Sequence, residues 1–152
     1  MRMALKQAEL ALESNEVPVG AVVVHENKVI AKGYNQMVTL KDPTAHAEMI
    51  ALTAASEALS HEKEKHRGSL EDCTLYVTLE PCSMCAGGMI VTKLKNLVYG
   101  ASDKKAGACE SVFNIVQDDR LNHRVNVVKG VLEQESIGLL QAFFRQIRKD
   151  RR

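Results

Sequence analysis

His46-Ala47-Glu48 and, farther along, Pro81-Cys82-Ser83-Met84-Cys85 are the stretches that decide how this chain is read. One imidazole and two thiols are nitrogen and sulfur donors of the kind a first-row metal such as zinc takes in tetrahedral array. Three protein ligands leave a fourth position for water, the pattern of a catalytic rather than a structural site. Glu48, two residues after the histidine, need not be a ligand. A carboxylate beside such a water can take its proton and pass it to a leaving group. Two thiolates neutralise the metal's charge and weaken it as a Lewis acid, so a separate base is needed. Glu48 fits that need. A Cys-x-x-Cys pair alone would be equally consistent with a redox dithiol. The whole set, His-x-Glu followed by Pro-Cys-x-x-Cys, is far more specific, because it pairs three metal donors with a separate base.

The rest of the sequence supplies a scaffold for that set. At 152 residues, 45% apolar and 26% charged, the chain is expected to form one globular domain over residues 1–152. No apolar run approaches membrane-spanning length, and the first residues lack a signal-peptide core, so a cytoplasmic protein is expected. Reducing conditions there suit thiolate ligands. Cys73 reads as a buried core residue and Cys109 as an incidental thiol. The net charge is +1, but residues 145–152 hold five cations against one carboxylate, leaving the other 144 residues at −3. Two readings of this basic end stand: a localised polyanion contact, or a solvated helix end whose cations suit the helix dipole.

Periodicity predicts a helix over 2–14, with Leu5, Ala8 and Leu12 on one face and Asn15 as its stop. Ala21–Val24 and Lys28–Tyr34 read as two strands joined by a Glu26-Asn27 turn. Thr44 is expected to cap a helix over Ala47–Leu59, and 61–68 to be an exposed linker carrying His61 and His66. Strands follow at Thr74–Thr78, Asn96–Gly100 and Val125–Val128, with helices from Ser83 to about Lys93 and from Glu133 to about Lys149. More than twenty residues separate the last two strands, enough for a parallel crossover. This placement sets His46 and the Cys82/Cys85 pair at helix starts, where the positive end of the dipole favours thiolate. Pro81 has no N–H to leave unpaired there.

Further segments carry a resemblance that runs over nearly the whole chain. They are Glu16-Val17-Pro18-Val19-Gly20-Ala21-Val22, Gly33-Tyr34-Asn35, Asp42-Pro43-Thr44-Ala45-His46-Ala47-Glu48 and Thr78-Leu79-Glu80-Pro81-Cys82 with Cys85. Asp103-x-Lys105-x-Gly107-Ala108, Asn122-His123-Arg124-Val125 and Phe143-Phe144-Arg145-x-x-Arg148 follow. In these the chain resembles the bacterial tRNA-specific adenosine deaminase family. The resemblance implies a three-layer α/β/α cytidine-deaminase-like fold with a five-stranded mixed sheet, one Zn2+ per subunit and a homodimer. It implies conversion of adenosine to inosine at the wobble position of tRNA, chiefly the arginine tRNA with anticodon ACG. His46, Cys82 and Cys85 would hold the metal and Glu48 would move the proton. Asn35 and Ala47 would contact the target nucleotide. Asp103, Lys105, Asn122, His123, Arg145 and Arg148 would hold the anticodon stem-loop. From the residues alone Asn35 reads equally as a turn residue, His123 as a strand-edge histidine and Phe143-Phe144 as core. The chain departs from the family in an N-terminus a few residues short, expected to weaken the first helix, and in Glu110. That carboxylate would oppose phosphate if it faced RNA. The rival readings are a deaminase of free bases or nucleosides and a zinc-stabilised RNA-binding module without chemistry.

Overall fold

The computed structural model describes residues 1–62 and 67–152; residues 63–66 of the expected 61–68 linker, His66 among them, lie outside these. Nine elements follow one another: α1 (Arg2–Glu13), β1 (Gly20–His25), β2 (Lys28–Tyr34), α2 (Ala47–Glu62), β3 (Cys73–Leu79), α3 (Ser83–Val91), β4 (Asn96–Ala101), β5 (Asn126–Val128) and α4 (Glu133–Asp150). The strands form one mixed sheet in the order β2-β1-β3-β4-β5. β1 runs antiparallel to β2 and β3, while β3, β4 and β5 are parallel. The β1–β2 hairpin turns through Glu26 and Asn27 at φ 48° and 64°, the two left-handed residues that match a hairpin's twist. The long β4–β5 connection makes the expected parallel crossover.

Helices cover both faces. α2 packs on β1, β2 and β3 and against α3; α1 packs on β1, β2 and β3 and against α4, which reaches β3 and β4. The main core lies under α2 and α3. Ala21, Val23, Leu75, Val77, Leu97 and Tyr99 from the sheet meet Ala51, Leu52, Ala55 and Met89 there. This is a three-layer α/β/α arrangement around a five-stranded mixed sheet.

Four local expectations change. α1 buries Ala4, Ala8 and Ala11, not Leu5 and Leu12, because it lies so close to β1 that only methyl groups fit. Gly20 is the reciprocal feature, since a Cβ there would strike the backbone at Ala4 and Ala8. Thr44 does not cap α2. It sits in the preceding turn, where its hydroxyl and its N–H both donate to Asp42 Oδ1 at 2.7 and 2.8 Å. The His46 carbonyl accepts the first helical bond, from Ile50, so α2 starts at Ala47 and runs on through His61, which is exposed. Cys109 is buried in the core and not incidental to it.

Candidate active site

The carboxyl ends of β2, β3 and β4 and the start of β1 all meet at one edge of the sheet. Loops leaving that edge can converge there without burying unpaired backbone, and α/β folds commonly bind ligands in such places. From that edge β3 runs through Glu80-Pro81 into α3. Cys82 is the residue before the helix, in extended conformation at φ −73° and ψ 176°, and its carbonyl accepts from Ala86. Cys85 lies one turn in, fully buried. His46 holds the corresponding position before α2. Two helix starts therefore aim their donors at one point.

The separations fit a metal. His46 Nδ1 lies 3.5 Å from Cys82 Sγ and 3.6 Å from Cys85 Sγ. Tetrahedral angles with Zn–N near 2.0–2.1 Å and Zn–S near 2.3 Å require an N···S edge of about 3.6 Å. All three donor atoms lie within 4.8 Å of one another. Without the metal charge the same three groups share protons. The neighbouring Cys85 thiol, and then the His46 imidazole, hold Cys82 down to about 4. Cys82 and burial push Cys85 up, and Cys82 raises His46. One ready thiolate beside an imidazole is a nucleus for ligation.

Glu48, on the first turn of α2, is 4% exposed, and burial pushes its carboxyl up to about 7. It shares a cavity of about 190 Å³ with His46, Cys82, Asn35, Ala47 and Asp103. The volume is below the roughly 300–1,000 Å³ usual for drug-sized ligands, and the scale is that of a single ring system. Asn35 is buried, its N–H held by the Val19 carbonyl, while its side-chain Oδ1 has no hydrogen-bond partner among the described residues. An unsatisfied buried oxygen costs about 1–3 kcal/mol, so this one is placed for a donor that a ligand brings.

Of the residues singled out from sequence, Asn35, His46, Ala47, Glu48, Cys82 and Asp103 line this one cavity, with Cys85 behind it. Lys105 and Arg148 line a neighbouring groove with Phe144, and Arg145 and Arg148 a further one with Lys149 and Arg152. Phe143 is buried and Phe144 half-exposed, their rings edge-to-face at 5.2 Å. Asn122 is exposed, and the His123 Nε2 hydrogen bonds the Leu94 carbonyl at 2.7 Å, outside these cavities. Glu110 pairs with Lys129 at 2.6 Å, so its charge is compensated locally.

The cavity's remaining lining was not foreseen: Val17, Val19, Met37, Leu79, Glu80 and Ala106. The first four are apolar walls to which the sequence reading gave no role. Glu80 stood only within the Thr78–Cys82 segment of the resemblance, with no role of its own. Its carboxylate, 1% exposed, accepts from the N–H groups of Asp103, Cys109 and Ser111 and from the Ser111 hydroxyl. Burial pushes its carboxyl up, but these donors outweigh it and hold it below the usual range. A charged residue inside an otherwise apolar strand end was the signal available.

A His/Cys/Cys donor set, a buried carboxylate and a ring-sized cavity at the edge of this sheet define a hydrolytic deaminase. The family model described as MafB19-like deaminase matches residues 1–148. A tRNA-specific adenosine deaminase from Bacillus subtilis is 43% identical over all of this chain and 91% of its own. Another from Aquifex aeolicus is 43% identical over 99% of this chain and 95% of its own. A structure from work on A-to-I editing by tRNA:A34 deaminases at the wobble position of transfer RNA superposes with TM-score 0.84. It is 41% identical, over 92% of this chain and 97% of that one. A guanine deaminase from Nitrosomonas europaea shares the fold alone, at TM-score 0.71 and 24% identity over 93% of this chain and 81% of that one. The chain belongs to the tRNA-specific adenosine deaminase family.

Proposed function

We propose that this protein is a zinc-dependent hydrolase that converts adenosine to inosine at the wobble position of tRNA, chiefly the arginine tRNA with anticodon ACG. The observation that carries the proposal is the sharing of one ring-sized cavity by Glu48, the three-donor set and the unpartnered Asn35 oxygen. His46 Nδ1, Cys82 Sγ and Cys85 Sγ would hold a zinc ion, whose chemistry there is to lower the pKa of a water in its fourth position.

Glu48 would move one proton from the attacking water to the adenine ring nitrogen beside C6 as the water oxygen bonds to C6, and then pass the second proton to the amino group. The C6–N bond would break, ammonia would leave, and the base would become hypoxanthine, the nucleoside inosine. Burial holds Glu48 near neutrality, which suits a group that must both accept and donate at pH 7. Val17, Val19, Leu79 and Ala106 keep bulk water from the ring faces, Ala47 offers its backbone to the base edge, and Asn35 accepts from the nucleotide. Adenine and cytosine both present an amidine-like C–NH2, so the donor set alone does not choose between them.

The substrate's shape enters through the surface. An anticodon loop is single-stranded, so turning one base outward costs less than extracting it from a duplex. Lys105, Arg145 and Arg148 on the two outer grooves would meet its phosphates, with Asp103, Asn122 and His123 completing the contact surface. Phe144, half-exposed in the first groove, offers a stacking face. A homodimer is part of the proposal. Val91 and Phe113, 83% and 57% exposed, are the kind of apolar surface a second copy covers. No helix among the described residues is long and apolar enough to cross a membrane.

The proposal is tested by offering zinc-loaded protein an ACG anticodon stem-loop, free adenosine, cytidine and guanine in parallel. Inosine in the stem-loop with the small molecules unchanged is the expected result. Ammonia released from a small molecule, with the RNA intact, would assign the same chemistry to a free-base deaminase. Zinc binding without turnover of any substrate would leave an RNA-binding module.

A further inference from the structure

The substrate cavity is closed on one side by the loop after β4, from which Asp103 and Ala106 project as lining residues and Lys105 reaches the outer groove. Residues 102–106 and 110–114 of this segment are exposed or half-buried, and the segment has no helix or strand of its own apart from isolated bridges. Ala108 and Cys109 at its centre are buried in the core, and its hydrogen bonds to the sheet edge are few. The Ala108 N–H donates to the Pro81 carbonyl at 2.8 Å, and Cys82 and Gly107 form an isolated bridge. Among the described residues, the other hydrogen bonds from this segment back to the β3–α3 junction converge on Glu80. Oε2 accepts from Asp103 N–H at 2.9 Å and from the Ser111 hydroxyl, and Oε1 from Cys109 and Ser111 N–H at 3.2 and 2.9 Å. Gly107 lets the loop close on the carboxyl, because a Cβ there would strike it.

We propose that Glu80 is a positioning residue for the substrate: its buried carboxylate fixes the 103–111 loop, and with it Asp103, Lys105 and Ala106, in register with the metal-ligand segment Pro81-Cys82. Four donors meet two oxygens, so the geometry needs an acceptor at both. A carboxylate supplies two, whereas an amide supplies one and presents a donor to the other pair. Charge-assisted bonds to backbone N–H groups are also stronger than neutral ones. Both Glu80 oxygens are taken up by loop donors, so its removal acts through the loop. It should raise the substrate concentration needed without changing the ligand set or the proton relay. The exposed flanks of the loop, 102–106 and 110–114, can open locally while Ala108 and Cys109 stay in the core.

The inference rests on the RNA reading for its kinetic arm and on the structure alone for its exchange arm. The variant is Glu80→Gln in the full-length, zinc-loaded protein, which keeps the side chain's shape. Three quantities are measured beside wild type: zinc per chain, hydrogen exchange of the Asp103, Cys109 and Ser111 amides, and kcat and KM on the ACG stem-loop. The expected result is unchanged zinc and amide exchange at least tenfold faster at those three positions. KM rises about tenfold or more while kcat falls less than threefold. Ser111→Ala, at an exposed position that removes one donor of four, should move exchange and KM the same way by a smaller factor. It serves as the probe if Glu80→Gln does not fold. Exchange unaltered at all three amides overturns the inference, as does a lower melting temperature with KM and kcat both kept. Loss of zinc would place Glu80 in support of the ligands instead and overturns it too. If wild type itself leaves the stem-loop unchanged, the RNA reading fails while the exchange arm still decides the loop attachment.

Discussion

Glu48 is a buried carboxylate whose charged neighbours among the described residues are the groups that would hold the metal. Its burial costs stability that an alanine would not, so its chemistry is the reason for it. Glu48→Ala should lower the deamination rate by at least 10²–10⁴-fold, the usual worth of a general acid–base. Zinc content and stem-loop affinity should stay unchanged. Loss of zinc in this variant, read by metal analysis, would make Glu48 a ligand. At this scale the site was legible where chemistry forces a residue type: a metal needs imidazole and thiolate, and few other uses put His46, Glu48, Cys82 and Cys85 in that order. It was illegible where one residue type serves many purposes. Glu80 hides as a strand end, and Val17, Met37 and Leu79 look like any apolar residues, because being a cavity wall leaves no mark of its own.

At the scale of elements, α1 shows how a small-residue stripe sets a distance. Ala4, Ala8 and Ala11 bring the helix against Gly20 of β1, and the Gly20 N–H then reaches Thr78 Oγ1 at 3.1 Å. Gly20→Ala should destabilise the fold by about 1–3 kcal/mol through overpacking. The denaturant midpoint checks this, with an unaltered slope if the transition stays two-state. Periodicity placed this helix but turned its buried face by one residue, since leucines outrank alanines in any hydrophobic count. It ended α2 too early for a different reason. Ser60 and His61 are polar, yet a helix end in solvent needs no apolar residue, and the Ser60 hydroxyl returns to the Ser56 carbonyl. On α4, Arg145 and Arg148 line one exposed groove with Lys149 and Arg152. If they meet phosphates, Arg145→Ala and Arg148→Ala should each lower the salt slope of stem-loop binding by about 0.7, the single-strand value per contact. An unchanged slope would make them a solvated helix end.

For the whole molecule, the donor set joins two helices that pack on the same face of the sheet. His46 precedes α2, and Cys82 and Cys85 open α3, so a bound metal ties the starts of these two helices together. A ligand that binds only the folded chain stabilises it by mass action, about 2.7 kcal/mol at a free concentration one hundred times Kd. In a domain of this size that is roughly 5–11 °C in melting temperature. Zinc addition to chelator-stripped protein should therefore raise Tm in that range, read by calorimetry. No shift would mean the three donors do not act together. The first hairpin and the last parallel pairing were legible, through the Glu26-Asn27 turn and the long last crossover, whereas the strand order was not read from the residues. Nor was the convergence of loops at one sheet edge, since it depends on contacts far apart in sequence such as Glu80 with Ser111.

The central claim is that this cavity deaminates one adenosine in one RNA context. It is tested most directly by position-resolved inosine analysis of a full-length arginine tRNA with anticodon ACG, after incubation with zinc-loaded wild type and with Glu48→Ala. Inosine at the wobble position alone, formed by wild type and absent with the variant, is the predicted result. Inosine elsewhere in the tRNA, or an unchanged wobble adenosine with zinc fully bound, would contradict it.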